Sequence, residues 1–257
     1  MTYLHSFLFI AHILLGSAAL LLFWVPMYTA KGQLNHKKFG RWYKNTMYGV
    51  AATGAIMAII VLAIPLVIKH QYANHENAQA IATNIRFFWV FLLYLALLSF
   101  TTTKHGEWVL KVKERREHLR TWQYVTPLVL LFVGGFAFIG MGLLRGQTLH
   151  TVFGILGVLV GFSMLRYVFA KHLGARQYIL EHIGSMIGSG IGAYTAFVAF
   201  GGRQLIESAG QYQLLLWIAP GVIGSILSYI LCKKYGKVFK VEATKSAKQK
   251  PSVNTAV

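Results

Sequence analysis

Aspartate is missing from this chain altogether, and acidic residues of any kind number only 7 in 257. Any mechanism that needs an aspartate is thereby excluded, aspartate-dependent zinc hydrolase motifs among them. Cysteine occurs once, as Cys232, so no intrachain disulfide can form and the redox compartment is left undetermined. Charge is scarce: charged residues make up 12%, against roughly 25% in a soluble domain. There is also no polar insertion long enough to fold alone, the longest being 103–123. The chain has no nucleophile elbow, no phosphate-binding glycine loop, no CxxC and no HExxH, so no enzyme class is indicated by motif.

What fills the chain is apolar sequence. Hydrophobic residues reach 56% and the mean hydropathy is +0.53. A transmembrane helix needs about 20 mostly apolar residues, and seven runs qualify: 5–28, 46–68, 86–103, 125–144, 151–170, 183–201 and 213–232. The expected fold is all-α, a polytopic transmembrane helix bundle of seven spans over residues 1–235. A basic cytoplasmic tail follows at 236–257, polar and poor in aromatics, and is expected to be disordered. The first run has no basic leader and a longer apolar core than the 7–15 residues or so of a signal peptide, so it is read as an uncleaved helix.

Placing the cations explains the net charge of +18. Segments 31–44, 104–120, 166–176 and 233–250 hold 21 of the 25 Lys and Arg residues; only Lys69, Arg86, Arg145 and Arg203 fall on the alternate loops. The positive-inside rule then puts the N-terminus outside and the C-terminus in the cytoplasm of a multi-pass cell-membrane protein. The charge is a topology signal rather than a nucleic-acid-binding face, and the partners it implies are the lipid bilayer and anionic lipid at the cytoplasmic surface. Segment 103–123 is expected to form an interfacial amphipathic helix, with Trp108, Val109 and Val112 in the headgroups and Lys111, Arg115 and Arg116 meeting anionic lipid.

The spans are rich in glycine at helical spacing. Gly184, Gly188 and Gly192 form a smooth groove in the sixth run, Gly154, Gly157 and Gly161 mark the fifth, and Gly221 and Gly224 the seventh. Such grooves permit close helix packing, oligomerisation, or room for a bulky ligand, and spacing alone does not separate these.

Ionisable groups within or at the ends of spans are the functional pointers. His5 and His12 share a face about 10 Å apart along the axis, and His12 is the most deeply placed histidine. Glu181 and His182 open the sixth run, and His182 shares a face with Met186, as a weak pair of metal or haem ligands. His36, His105, His172 and His182 are placed at helix ends or in loops on the cytoplasmic side, so no two histidines form a clear bis-His pair at equal depth.

The stretch from His12 to Met47 resembles the N-terminal pattern of the DUF2306 family of uncharacterised prokaryotic membrane proteins. His12, Gly16, Ala19 and Leu20 stand in the first span; Lys31, Gly32, His36, Gly40, Arg41, Tyr43 and Met47 follow through the loop into the second. The segment around His182, Met186, Thr195, Ala196 and Phe197, and the stretch Trp217 to Gly224, look like later parts of the same pattern. The resemblance implies a multi-span helical fold and brings no established activity.

Two functional classes are left open. One is a redox or cofactor-binding bundle with haem or a metal on intramembrane histidines. The other is a proton-coupled small-molecule transporter, channel or sensor using the same histidines. The candidate constellation is His12, His36, Arg41, Tyr43 and His182, with His36, Arg41 and Tyr43 closing the inner mouth of a cavity lined by His12 and His182. The plainer reading of the loop is anchorage, its five cations and the Trp42–Tyr43 pair sitting at the membrane surface.

Overall fold

The structure is a computed structural model that describes residues 2–201 and 213–241. Among the described residues it is entirely helical: α1 (Thr2–Tyr28), α2 (Leu34–Ala63), α3 (Pro65–Ile68), α4 (Ala78–Val112), α5 (Trp122–Leu144), α6 (Thr148–Phe169), α7 (Gln177–Ala196) and α8 (Gln213–Val238), with short 3₁₀ turns at His70–Tyr72 and Arg116–Leu119. A π-helical turn, Phe197–Gly201, closes α7. Five of these helices, α1, α2, α4, α5 and α6, are long and apolar enough to cross a membrane. The chain is therefore a membrane-type helical bundle.

Helix α4 is the hub. It packs against α2 on one side, α7 on another and the α5–α6 hairpin on a third, while α1 pairs with α2 and α8 with α7. At about 1.5 Å per residue its 35 residues extend some 52 Å, well beyond a hydrocarbon core of about 30 Å. The α5–α6 pair is the closest. A Cβ added at Gly154 would lie 2.8 Å from the carbonyl oxygen of Gly135 and from the backbone nitrogen of Ile139, and one at Gly161 would press the backbone of Phe132. The glycines of the fifth run are thus consumed inside the molecule. In the sixth run, by contrast, Gly188 and Gly192 face open space and Gly184 only reaches Ser228. Close approach of α7 to α1 instead uses Gly190, onto which the Phe23 ring is laid.

Three boundaries differ from the hydropathy reading. The run 46–68 is broken at Ile64, because Pro65 offers no amide proton and disfavours helix at the residue before it. The tail begins later than 236, since α8 continues to Val238; residues 242–257 lie outside the described residues. No separate amphipathic helix occupies 103–123. Helix α4 runs on to Val112, Val109 is fully buried, and Trp108 packs against Tyr124 and the rest of a core cluster. Arg116 does not face outward to lipid: its guanidinium donates to the carbonyls of Tyr167 and Ala170 at the end of α6.

That last contact belongs to a pattern. At the basic end, cations donate to the carbonyls that helix ends leave unpaired. Lys31 donates to Pro26, Met27 and Thr29 beyond α1, Arg120 to Val168, and Arg176 to Phe239. Lys104 donates to Gln123 in the first turn of α5. These contacts gather the C-terminal ends of α1, α4, α6 and α8 and the N-terminal ends of α2, α5 and α7 at one pole of the bundle.

Candidate functional site

The turn between α1 and α2 accounts for much of the motif that begins at Lys31. Gly32 takes φ +79°, a conformation that a side chain disfavours. Lys31 and His36 both close on Pro26: the Lys31 ammonium donates to its carbonyl at 2.9 Å and His36 Nδ1 at 3.1 Å. His36 therefore holds the end of α1 to the start of α2. Met47 is fully buried against Ala19, and the buried Tyr43 shares a hydrogen bond of 2.8 Å with Ser189 of α7. Arg41 is exposed and forms no hydrogen bond or ion pair among the described residues.

The centre of the site lies where α4 meets α7. His105 and Gly106, consecutive on α4, face Glu181 and His182, consecutive on α7. His105 Nε2 lies 3.2 Å from Glu181 Oε2, and its Nδ1 lies 2.6 Å from the Tyr124 hydroxyl of α5. His182 Nδ1 donates to the Gly106 carbonyl at 2.7 Å. Gly106 is what lets the helices come this close: a Cβ there would stand 3.1 Å from the Met186 methyl and 3.3 Å from Ser185 Cβ. His182 and Met186 do share a face, and that face rests on Gly106.

His105 has 0% exposure and Tyr124 2%, whereas the Glu181 side chain keeps 30%. The ring is enclosed further by Tyr167, edge-on at 5.6 Å. The simplest proton arrangement has the Tyr124 hydroxyl donating to Nδ1 and Nε2–H donating to the Glu181 carboxylate. Each polar atom is then satisfied, which a buried group requires. The result is a chain Tyr124–His105–Glu181 that links three helices and opens to the surroundings only at the carboxylate.

A second, partly buried carboxylate lies on the other face of α4. Glu107 accepts from Lys44 at 2.9 Å, from Lys111 at 2.9 Å and from the Tyr48 hydroxyl at 2.6 Å, fixing α2 to α4. Three donors on one carboxylate make this a closed structural pair rather than a site with free valence.

The expected constellation is only partly assembled. Tyr43 and His182 both reach the α7 interface, whereas His36 stays at the turn between α1 and α2, on the Pro26 carbonyl. His12 is apart from them, near the middle of the bundle. It turns toward α2 and donates through Nδ1 to Thr53 Oγ1 at 2.9 Å, since the threonine hydroxyl's own proton goes to the Gly49 carbonyl. About 12 to 18 Å of α1 separate His12 from Leu20, Phe23 and Trp24, the residues of α1 that meet α7.

His105, Glu181 and Tyr124 are the residues missing from the sequence-level constellation, and His105 is not in a loop or at a frayed helix end. A signal was present. Tyr94, Leu98, Thr101, Thr102, His105 and Val109 recur at helical spacing and are all buried, so the face that begins apolar continues through the polar stretch TTTKHGEW. Among the described residues no three His, Cys or Glu side chains gather closely enough to hold a metal ion. No protein-family model, no curated protein and no solved structure matches the chain.

Proposed function

We propose that this protein is a proton-coupled membrane transporter whose protonation site is the buried chain Tyr124–His105–Glu181. The observation that supports this reading is the fully buried imidazole bonded at both nitrogens, once to a phenol and once to a carboxylate that keeps contact with solvent. A histidine in such a chain can gain a proton: it ends on Nδ1, displaces the bond accepted from Tyr124, and turns the Nε2–H bond to Glu181 into an ion pair between α4 and α7. Helix α8 follows α7, being packed antiparallel to it, with Gly184 near Ser228 and Gly224 against Ile191. The moving element is accordingly the α7–α8 pair, and the fixed element is α4 with α5.

The topology belongs to the same proposal: seven spans, α7 and α8 included, with the N-terminus outside and the tail in the cytoplasm of the cell. Two features support it. Leu215, Ile218, Val222, Ile223, Ile226 and Ile230 leave a long apolar face of α8 exposed, as a lipid-facing helix would. The basic segments also converge at one pole. Lys37, Arg41, Arg115 and Lys113, which cap no carbonyl among the described residues, are the cations we assign to anionic headgroups there. Membership of the DUF2306 family is proposed on the Lys31–Gly32–His36 turn, whose three residues have coherent roles in closing α1 on α2. Gly188 and Gly192, facing open space, are where self-association through a glycine face would occur.

Measuring charge movement tests the function. In proteoliposomes on a sensor electrode, a pH jump is expected to give a transient current that His105→Gln and Glu181→Gln each reduce at least tenfold. Currents of wild-type size in both variants would sink the assignment.

A redox or haem-binding bundle is the second reading, and one observation favours it. His36 and His182 each commit Nδ1–H to a backbone carbonyl and leave Nε2, the usual ligand atom, unbonded to any described residue. An absorption spectrum of protein purified from haem-replete cells decides this reading. A Soret band that shifts on reduction supports it, and the lack of any such band removes it.

A further inference from the structure

The opposite pole, poor in cations, carries a cleft of about 580 Å³ between the 3₁₀ turn at His70–Tyr72 and the first turns of α4. One wall is apolar: Ile81, Ile85, Phe88 and Trp89 follow one another along α4 at helical spacing. The other is polar, with Lys69, Gln71 and Tyr72 across from Asn84. The volume is that of a small-molecule site, and the pairing of an apolar trough with a few convergent polar groups is how such sites are built.

The charges at this pole decide what the cleft would hold. Arg86 is committed to the Leu62 carbonyl, and Arg145 lies over the Phe87 ring at 4.3 Å. The Lys69 ammonium has neither a hydrogen bond nor an ion pair among the described residues, and it lines the cleft. Behind this wall His5 stands edge-on to Trp89 at 5.8 Å, and its Nε2 is buried with no hydrogen-bond partner among the described residues. Lys69 and Trp89 thus share the head of an apolar trough, and neither Lys69 nor His5 has an anionic partner among the described residues.

The geometry points to a binding site for a free single-chain amphiphile with a carboxylate head. Lys69 takes the carboxylate, Gln71, Tyr72 and Asn84 provide further hydrogen bonds, and the chain lies along Ile81, Ile85 and Phe88. A phosphate head on a bilayer lipid offers related chemistry, but the cleft has one uncommitted ammonium rather than the cluster of basic groups with which phosphate sites are usually built.

The test uses the full chain in lipid nanodiscs and 11-(dansylamino)undecanoic acid as the probe, read by energy transfer from Trp89 to the dansyl group. Binding is expected to saturate, to weaken at least tenfold in Lys69→Gln and in Lys69→Glu, and to be unchanged in Lys37→Glu at the other pole. Trp89→Phe is expected to remove most of the transfer. Equal binding of the uncharged methyl ester would overturn the proposal, as would wild-type binding in both Lys69 variants. Displacement of the probe by phosphatidylglycerol added to the nanodisc would overturn it too, by assigning the cleft to bilayer headgroups.

Discussion

At the scale of single residues, the site is held by hydrogen bonds that differ in how replaceable they are. Tyr124→Phe removes the one partner that His105 Nδ1 has among the described residues, within a fully buried pocket. An unsatisfied buried group costs about 1–3 kcal/mol, so this variant is expected to unfold at clearly lower temperature in detergent. Tyr43→Phe removes a bond of similar length, but Ser189 keeps its second partner, the Met186 carbonyl. The loss there is expected to stay within the roughly 0.5–1.5 kcal/mol of an ordinary hydrogen bond. Thermal unfolding of the two variants side by side measures the difference, and equal midpoints would show that His105 Nδ1 finds another partner. Residue type was enough to single out His36, Tyr43 and His182, because a histidine or tyrosine at the end of an apolar run must pair with something. It was not enough to find His105. Its partners come from α5 and α7, 19 and 76 positions away, and no local pattern encodes such a meeting.

Helices are where the sequence is most readable, and their polar ends are where it is least so. Apolar length locates the five membrane-competent helices because burial in hydrocarbon is what selects those residues. It stops at Thr103 in α4, although the helix continues about two and a half turns further, because the last turns are held by packing against α5 and α7 rather than by lipid. Glycine spacing has the same limit: the fifth and sixth runs carry equally regular glycines, yet only one set is buried against a neighbouring backbone. Gly154→Ala would drive a Cβ into the backbone of α5, where nothing can shift cheaply. Overpacking of this kind costs typically about 1–3 kcal/mol. Gly188→Ala meets open space and is expected to be neutral or to stabilise by up to about 1 kcal/mol through helix propensity. Chemical unfolding of both variants in mixed micelles checks the contrast, and equal destabilisation would mean that α7 is covered by a partner at Gly188.

For the whole molecule, the distribution of cations does two jobs with one set of residues. Lys31, Arg116, Arg120 and Arg176 tie helix ends together through backbone carbonyls, and in doing so collect the positive charge at one pole. The same concentration is what the positive-inside rule uses to orient a chain during insertion. Orientation and packing are thus coupled, and they separate by mutation. Replacing Lys37 and Lys113, neither of which bonds a carbonyl among the described residues, with Gln lowers the basic bias while leaving every capping contact in place. Fusions of the tail to reporters active on only one side are expected to stay cytoplasmic in that variant, because the capping cations preserve most of the asymmetry. Arg116→Ala leaves the net bias almost as large but frees the end of α6, so its tail reporter is expected to stay inside while the protein unfolds more readily. A wild-type tail reporter that is active outside would reverse the assignment of both poles, placing the Tyr124–His105–Glu181 chain on the outer side and the Lys69 cleft on the cytoplasmic one.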